Sequence, residues 1–126
     1  MAYGGPDLND YSLPAAADLS THQYKFMTID ANGRGTIATS GTDVLIGILQ
    51  NKPSAQDAPA RIRPMGNISK LVAGEALAER ALITSNAQGF GTATVTDTLM
   101  VGAVCLAAVG GSADVADVLV VLYQHA

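Results

Sequence analysis

The stretch Thr28-Ile-Asp-Ala-Asn-Gly-Arg-Gly-Thr36 nearly recurs 56 residues later, as Thr84-Ser-Asn-Ala-Gln-Gly-Phe-Gly-Thr92. Five of the nine positions are identical, namely the two threonines, the alanine and the two glycines. The preceding residues also correspond, because Phe26-Met27 matches Leu82-Ile83 at the same offset. An internal repeat usually reflects architecture, and two copies suit one small domain of two similar β-units that share a core.

Glycines mark the structural turns of this repeat. Asn32-Gly33 is a strong hairpin signal, since both residue types tolerate a positive φ, and Gln88-Gly89 is the equivalent turn in the second copy. Gly47 and Gly102 lie inside the two most apolar segments, in matching places if one residue of slippage is allowed. Glycine inside a strand usually marks a bulge or a close backbone approach, which we expect at both positions.

Short strand-like segments alternate with glycine-rich turns along most of the chain, which predicts an all-β fold, a small barrel or sandwich. We expect one β-barrel-like domain over residues 21–126, with repeat units at about 22–74 and 75–126. Glu75–Arg80 is the one candidate for a helical turn, because its residues are good helix formers.

Residues 1–20 have a different character, with two prolines, two glycines and three aspartates, and no periodicity. We interpret this segment as an extended N-terminal arm that becomes ordered against a partner. Its apolar side chains are the candidate partner-binding residues: Tyr3, Leu8, Tyr11, Leu13 and Leu19. The alternative is that the arm wraps back over its own barrel.

The composition excludes some classes of function. The net charge of −4 argues against a nucleic-acid-binding protein, which needs a basic face, although Arg61 and Arg63 leave room for a local basic patch. Charged residues make up only 14% of a chain that is 48% hydrophobic. This suggests a surface covered by other copies or by a partner, or simply a small domain that needs few charges.

Catalytic and metal-binding motifs are lacking in the sequence. His22 and His125 form no zinc-ligand pair, and no Gly-x-Ser-x-Gly motif is present. Asp114 and Asp117 are better explained as turn caps than as calcium ligands, and the lone Cys105 sits in an apolar run where we expect a buried thiol. We therefore predict no catalytic residues, cofactor or metal.

Targeting signals are also lacking. The N-terminus has neither the basic start nor the apolar core of a signal peptide, and the longest apolar stretch is too short to span a bilayer. We expect synthesis in the cytoplasm and no membrane partner.

The sequence resembles the small head decoration, or capsid cement, proteins of tailed bacteriophages over roughly residues 21–123. The most specific part is Val44-Leu-Ile-Gly-Ile-Leu-Gln-Asn-Lys-Pro53. The other matching stretches are Asp30–Gly33 with Thr36–Thr39, Ala60–Arg63, Gly66, Ile68–Gly74 and Val118–Leu122. The resemblance implies no enzyme activity, and a position outside an assembled icosahedral shell that the protein braces against internal pressure.

We therefore expect a structural virion protein on the outer capsid surface, made in the cytoplasm of a bacterial host. Its expected partners are the lattice of the major capsid protein and neighbouring copies of itself, with no nucleic acid and no small-molecule substrate. One alternative is a subunit of another self-assembling filament or tube. Another is a small β-barrel enzyme, such as a trimeric nucleotide hydrolase with one carboxylate at each subunit interface.

Overall fold

The computed structural model describes residues 10–93 and 99–124, and within these ranges the chain forms two five-stranded antiparallel sheets. The first sheet holds β1 (Tyr11–Pro14), β2 (Phe26–Ile29), β3 (Gly35–Ile37), β4 (Gly47–Leu49) and β5 (Pro59–Arg63). The second sheet holds β6 (Ile68–Val72), β7 (Leu82–Ser85), β8 (Gly91–Thr92), β9 (Met100–Cys105) and β10 (Val115–Gln124). The all-β prediction is confirmed.

The two sheets share one topology. Their strand orders are β1-β5-β4-β2-β3 and β6-β10-β9-β7-β8, which are identical after a shift of five strands. The register agrees as well, because Ile48 opposes Arg63 in the first sheet and Val104 opposes Leu119 in the second, 56 residues later. The repeat is therefore one β-unit built twice, with the offset seen in the sequence.

Unusual backbone angles repeat at the same offset. Tyr24 has a φ of 67°, as does Arg80, and Asp57 has a φ of 69° against 71° for Ala113. Each of these residues is in the left-handed region, which is uncommon for side chains other than glycine. Such strain is retained where the surrounding structure imposes it, so both units impose the same path on the chain.

The division between the units differs from the expected boundary near residue 74. β6 belongs to the second sheet, where it pairs with β10, and β1 takes the equivalent place beside β5 in the first. The first unit therefore begins inside the expected N-terminal arm. A parallel bridge then connects each outer strand back to the far edge of its sheet, between Ala15 and Gly35 and between Ala73 and Gly91. This closes each sheet into a barrel-like ring.

The hairpin turn of each unit is stabilised by the side chain that starts it. Asp30 Oδ1 accepts bonds from the amides of Asn32 and Arg34, both at 2.9 Å, and Asn86 serves the second unit in the same way. Gly33 has a φ of 78°, whereas Asn32 is not among the residues with a positive φ. The loop is therefore a type I turn closed by a left-handed glycine, since the Asp30 bonds favour that geometry.

Gly47 and Gly102 do not occupy matching places, contrary to the expectation from sequence. Gly47 pairs with Met27, and Ala103 pairs with Ile83, the counterpart of Met27 in the second unit. Gly47 therefore corresponds to Ala103 at the constant offset of 56, with no slippage. Gly47 adopts a φ of 144°, where a side chain would be strained.

Two clusters of buried side chains form the core. The larger combines both sheets and consists of Phe26, Ala38, Leu45, Ile48, Leu71, Ala73, Leu77, Ile83, Ala103, Cys105, Ala116, Val118 and Val120. The smaller belongs to the first sheet alone and consists of Ala15, Leu19, Met27, Leu49, Ala60 and Ile62. Because the larger cluster contains residues of both units, the two units share a core, as the repeat predicted.

Glu75–Arg80 is not helical. Leu77 is buried and forms an isolated antiparallel bridge with Val109, and Arg80 has a positive φ. Burial of one leucine in the common core outweighs the weak helix preference of its neighbours. The part of the chain that the structure describes contains no helix of a length and apolarity that would cross a membrane.

Candidate docking surfaces

The described part of the expected arm belongs to the domain itself. Tyr11–Pro14 form the whole of β1 and pair with β5 in regular antiparallel register. Leu19 is only 5% exposed within the smaller cluster, and Leu13 packs against that cluster. Both leucines therefore pack against their own chain, which leaves Leu19 almost no area and Leu13 only part of its area for a partner. Tyr3 and Leu8 lie outside the described residues.

Tyr11 keeps part of its ring in solvent. Its hydroxyl donates to the carbonyl oxygen of Ile46 at 3.0 Å, and partial burial raises the pKa of the phenol. Thr28 donates to the carbonyl oxygen of Val44 at 2.7 Å, so Tyr11 and Thr28 both bind the segment that leads into β4. Among the described candidate partner-binding residues, Tyr11 is the most exposed, at 36%.

Three apolar side chains of the first unit remain exposed, at Tyr11, Ile29 and Val44. Tyr11 lies opposite the buried Ile62, and Ile29 follows the buried Met27 by two residues, which puts both on the cluster's face of the sheet. Val44 precedes β4 and is 65% exposed. We call Tyr11, Ile29 and Val44 the first-sheet rim.

A carboxylate–guanidinium clamp fixes Asp10, the first residue that the structure describes. Asp10 accepts two bonds from Arg63, from Nε at 2.9 Å and from Nη2 at 3.1 Å, and Arg61 Nε lies 3.3 Å from the same carboxylate. The side chains of Asp10 and Arg63 are only 12% and 15% exposed. A paired, largely covered guanidinium contributes little to a basic patch for nucleic acid, and a bidentate pair of this kind holds its carboxylate in one place.

An apolar groove runs along the far half of β10. It has a volume of about 470 Å³ and is lined by Met65, Gly66, Leu119, Val120, Val121, Leu122 and Tyr123. A bulge between Val120 and Tyr123 interrupts the pairing of β10 with β9, and β6 opposes β10 only as far as Leu119. We call this surface the β10 groove. Met65 is 57% exposed at its edge.

The groove was not identified from the sequence. Val118–Tyr123 is an uninterrupted apolar run, which is equally typical of a strand buried on both faces. The sequence feature that could have indicated the groove is the difference in length between the two equivalent strands. β10 has ten residues, whereas its counterpart β5 has five and is followed directly by Pro64. The clamp gave no local signal, because it joins residues 53 positions apart.

The described histidine and cysteine side chains make other contacts within the fold. His22 Nδ1 lies 2.8 Å from Lys25 Nζ, and burial together with the lysine charge lowers the pKa of the histidine. Cys105 is buried, and its thiol donates to the carbonyl oxygen of Ala107 at 3.1 Å. His125 lies outside the described residues.

The two candidate acidic residues are likewise paired separately. Asp114 accepts a bond from the amide of Gly111 at 3.1 Å, which caps a turn, and Asp117 lies 3.4 Å from Lys70 Nζ. Within residues 10–93 and 99–124, no three His, Cys, Asp or Glu side chains group together as a metal site would require. The surfaces that remain as candidates are the first-sheet rim and the β10 groove.

Comparison with solved structures gives a fold likeness along nearly the whole chain. The structure is similar to the crystal structure of the head fiber gp8.5 N base of bacteriophage phi29, with a TM-score of 0.70 and 11% sequence identity, over 92% of this chain and 98% of that chain. At this identity the likeness concerns the fold. No protein-family model and no curated protein sequence matches the chain.

Proposed function

We propose that this chain is a structural virion protein that binds the outside of an assembled phage capsid and stabilises the shell. The observation that carries the proposal is the fold likeness to a phage head fiber base, which extends over almost all of both chains. The sequence resemblance to capsid decoration proteins, which rests on different information, supports the same conclusion. Its partners are the capsid lattice and neighbouring copies of itself.

Binding, without catalysis, is the mode of action that we propose. The first-sheet rim supplies apolar area, since Ile29 is exposed at the end of β2 and Val44 is exposed in the segment before β4. Few charges compete with such a contact, because charged residues are only 14% of the chain. Each contact is small, but a shell offers many equivalent sites. Weak contacts repeated over the lattice then add up to a large stabilisation. We assign the first-sheet rim to the shell.

Co-sedimentation with capsids that lack decoration tests this proposal. Wild-type protein is expected to pellet with the shells and to saturate at a fixed number of copies. Val44→Lys places a charge in the rim and is expected to weaken binding by at least about tenfold. Leu106→Lys is the matched control, since it changes an exposed leucine of the second sheet and leaves the rim intact. Absence of saturable binding by the wild-type protein would refute the proposal.

A second candidate is a subunit of another self-assembling filament or tube. The structural neighbour is described as part of a head fiber, which is the observation that favours it. Negative-stain electron microscopy of the purified protein alone separates the two. Dispersed particles that decorate shells are expected here, whereas polymers formed without shells would favour the filament.

A further inference from the structure

The β10 groove lies where the described chain begins. β1 runs antiparallel to β5 with Tyr11 opposite Ile62, so the chain that precedes Tyr11 is directed toward the end of β5 and the residues after it. Asp10 is clamped on Arg63, the last residue of β5. Met65, two residues further on, lines the groove. Asp10, which residues 1–9 directly precede in the sequence, therefore lies at the edge of the groove.

The clamp also connects Asp10 to the strand beside the groove. Arg63 Nη1 donates to the carbonyl oxygen of Ile68 at 3.2 Å, while Nε and Nη2 hold Asp10. Ile68 is the first residue of β6 and opposes Leu119 in the groove wall. A segment tethered this close has a high effective concentration at the groove, far above that of a free partner.

The chemistry of residues 1–9 suits this groove. The segment Met-Ala-Tyr-Gly-Gly-Pro-Asp-Leu-Asn has three large apolar side chains, Met1, Tyr3 and Leu8, and one charged side chain, Asp7. The described residues that line the groove include no charged side chain. Nine extended residues reach about 30 Å, whereas the five residues of β10 in the groove wall span about 16 Å. The segment is long enough to cover the groove from its fixed end.

We propose that residues 1–9 of each chain occupy the β10 groove of the same chain in the free subunit, with Leu8 nearest Asp10 and Tyr3 further along. The first-sheet rim is separate from the groove residues and stays exposed. The proposal goes beyond the capsid-binding function and holds whether or not the protein binds a shell.

Methyl-resolved NMR of the full chain tests this directly. Leu8→Asp keeps the length of the segment but removes its apolar contact, so the methyl signals of Met65, Leu119 and Leu122 are expected to shift. The Val44 methyls, in the rim, should stay in place. Leu106→Asp is the control and should leave the groove signals unchanged. Groove signals that are identical in wild type and Leu8→Asp would overturn the proposal.

Tyr3→Ser and a concentration series complete the test. Tyr3→Ser should shift the same groove signals, which guards against an effect peculiar to the charge introduced by Leu8→Asp. If the segment lies in its own groove, the wild-type spectrum does not change with protein concentration. Groove shifts that appear only at high concentration, together with a dimer in sedimentation velocity, would mean that a second copy fills the groove and would overturn the proposal. These readouts involve no capsid, so they fail or succeed independently of shell binding.

Discussion

At the scale of single residues, Gly102 explains how the two units come into contact. A Cβ at this position would lie 2.5 Å from Cε1 of Phe26 and 2.9 Å from Cδ1 of Leu45, both of which belong to the first unit. Phe26 is fully buried and cannot move aside without disturbing the larger cluster. The absence of one side chain therefore lets a ring from one sheet rest on the backbone of the other.

Gly102→Ala is expected to lower the free energy of unfolding by about 1–3 kcal/mol, because the added methyl overpacks the core. Chemical denaturation measures the change. Gly110→Ala is the matched control, since a Cβ there would meet only Asp114 Oδ2, at 3.8 Å, and the backbone needs no positive φ. Equal stability of the two variants would contradict the packing argument.

His22 makes stability depend on pH. Burial and the neighbouring Lys25 lower its pKa from the ordinary 6.5, so the unfolded chain takes up a proton at a pH where the folded chain does not. Proton binding to the unfolded state then destabilises the fold as the pH falls through about 6.5 toward the depressed folded pKa. Well above pH 6.5 both states are neutral at this residue and the effect vanishes.

His22→Gln should therefore flatten the fall in stability between about pH 7.5 and pH 5.5, the range in which histidine titrates. The measurement is the difference in denaturation midpoint between wild type and variant at each pH, which removes contributions common to both proteins. A difference that stays constant across the range would show that His22 does not carry the effect.

At the scale of elements, the turns could be read from the sequence and the outer strands could not. Asp30 and Gly33 specify their turn through bonds within five residues, so the motif is visible locally and recurs in the second copy. β1 is short and contains Pro14, and only its pairing with β5, some fifty residues later, makes it a strand. Loop-like composition hid an element whose structure depends on a distant partner.

Two deletions separate the arm from the fold. Removing residues 1–18 takes away β1 and the buried Ala15, so we expect loss of more than about 3 kcal/mol of stability, or no folding. Removing residues 1–8 leaves β1 and the Asp10 clamp in place and is expected to change the melting temperature by only a few degrees. Melting curves from circular dichroism measure both. Similar melting temperatures for the two deletions would show that β1 is dispensable.

The candidate surfaces were harder to predict than the fold, for a related reason. Among the five residues expected to bind a partner, Leu13 and Leu19 have the same local composition as Tyr11 but pack in or against the smaller cluster, whereas Tyr11 is 36% exposed. The groove and the rim depend on where strands end relative to one another, as with the far half of β10, and hydrophobicity alone does not report that. Burial is a property of the tertiary structure.

At the scale of the whole molecule, duplication gives a compact body from few residues. Each unit closes on itself through one parallel bridge, and the larger cluster joins the two units. Several of the few charged side chains are paired with one another, as in the Asp10 clamp and the Arg34–Asp57 pair. The remaining surface is suited to contact with another apolar surface.

Cryo-electron microscopy of undecorated capsids incubated with the purified protein tests capsid binding most directly. The expected result is separate density at symmetry-related positions on the outside of the shell. The two-sheet fold should fit this density with the first-sheet rim toward the capsid. Shells that stay bare at saturating protein concentration, or protein found only inside them, would contradict the proposed function.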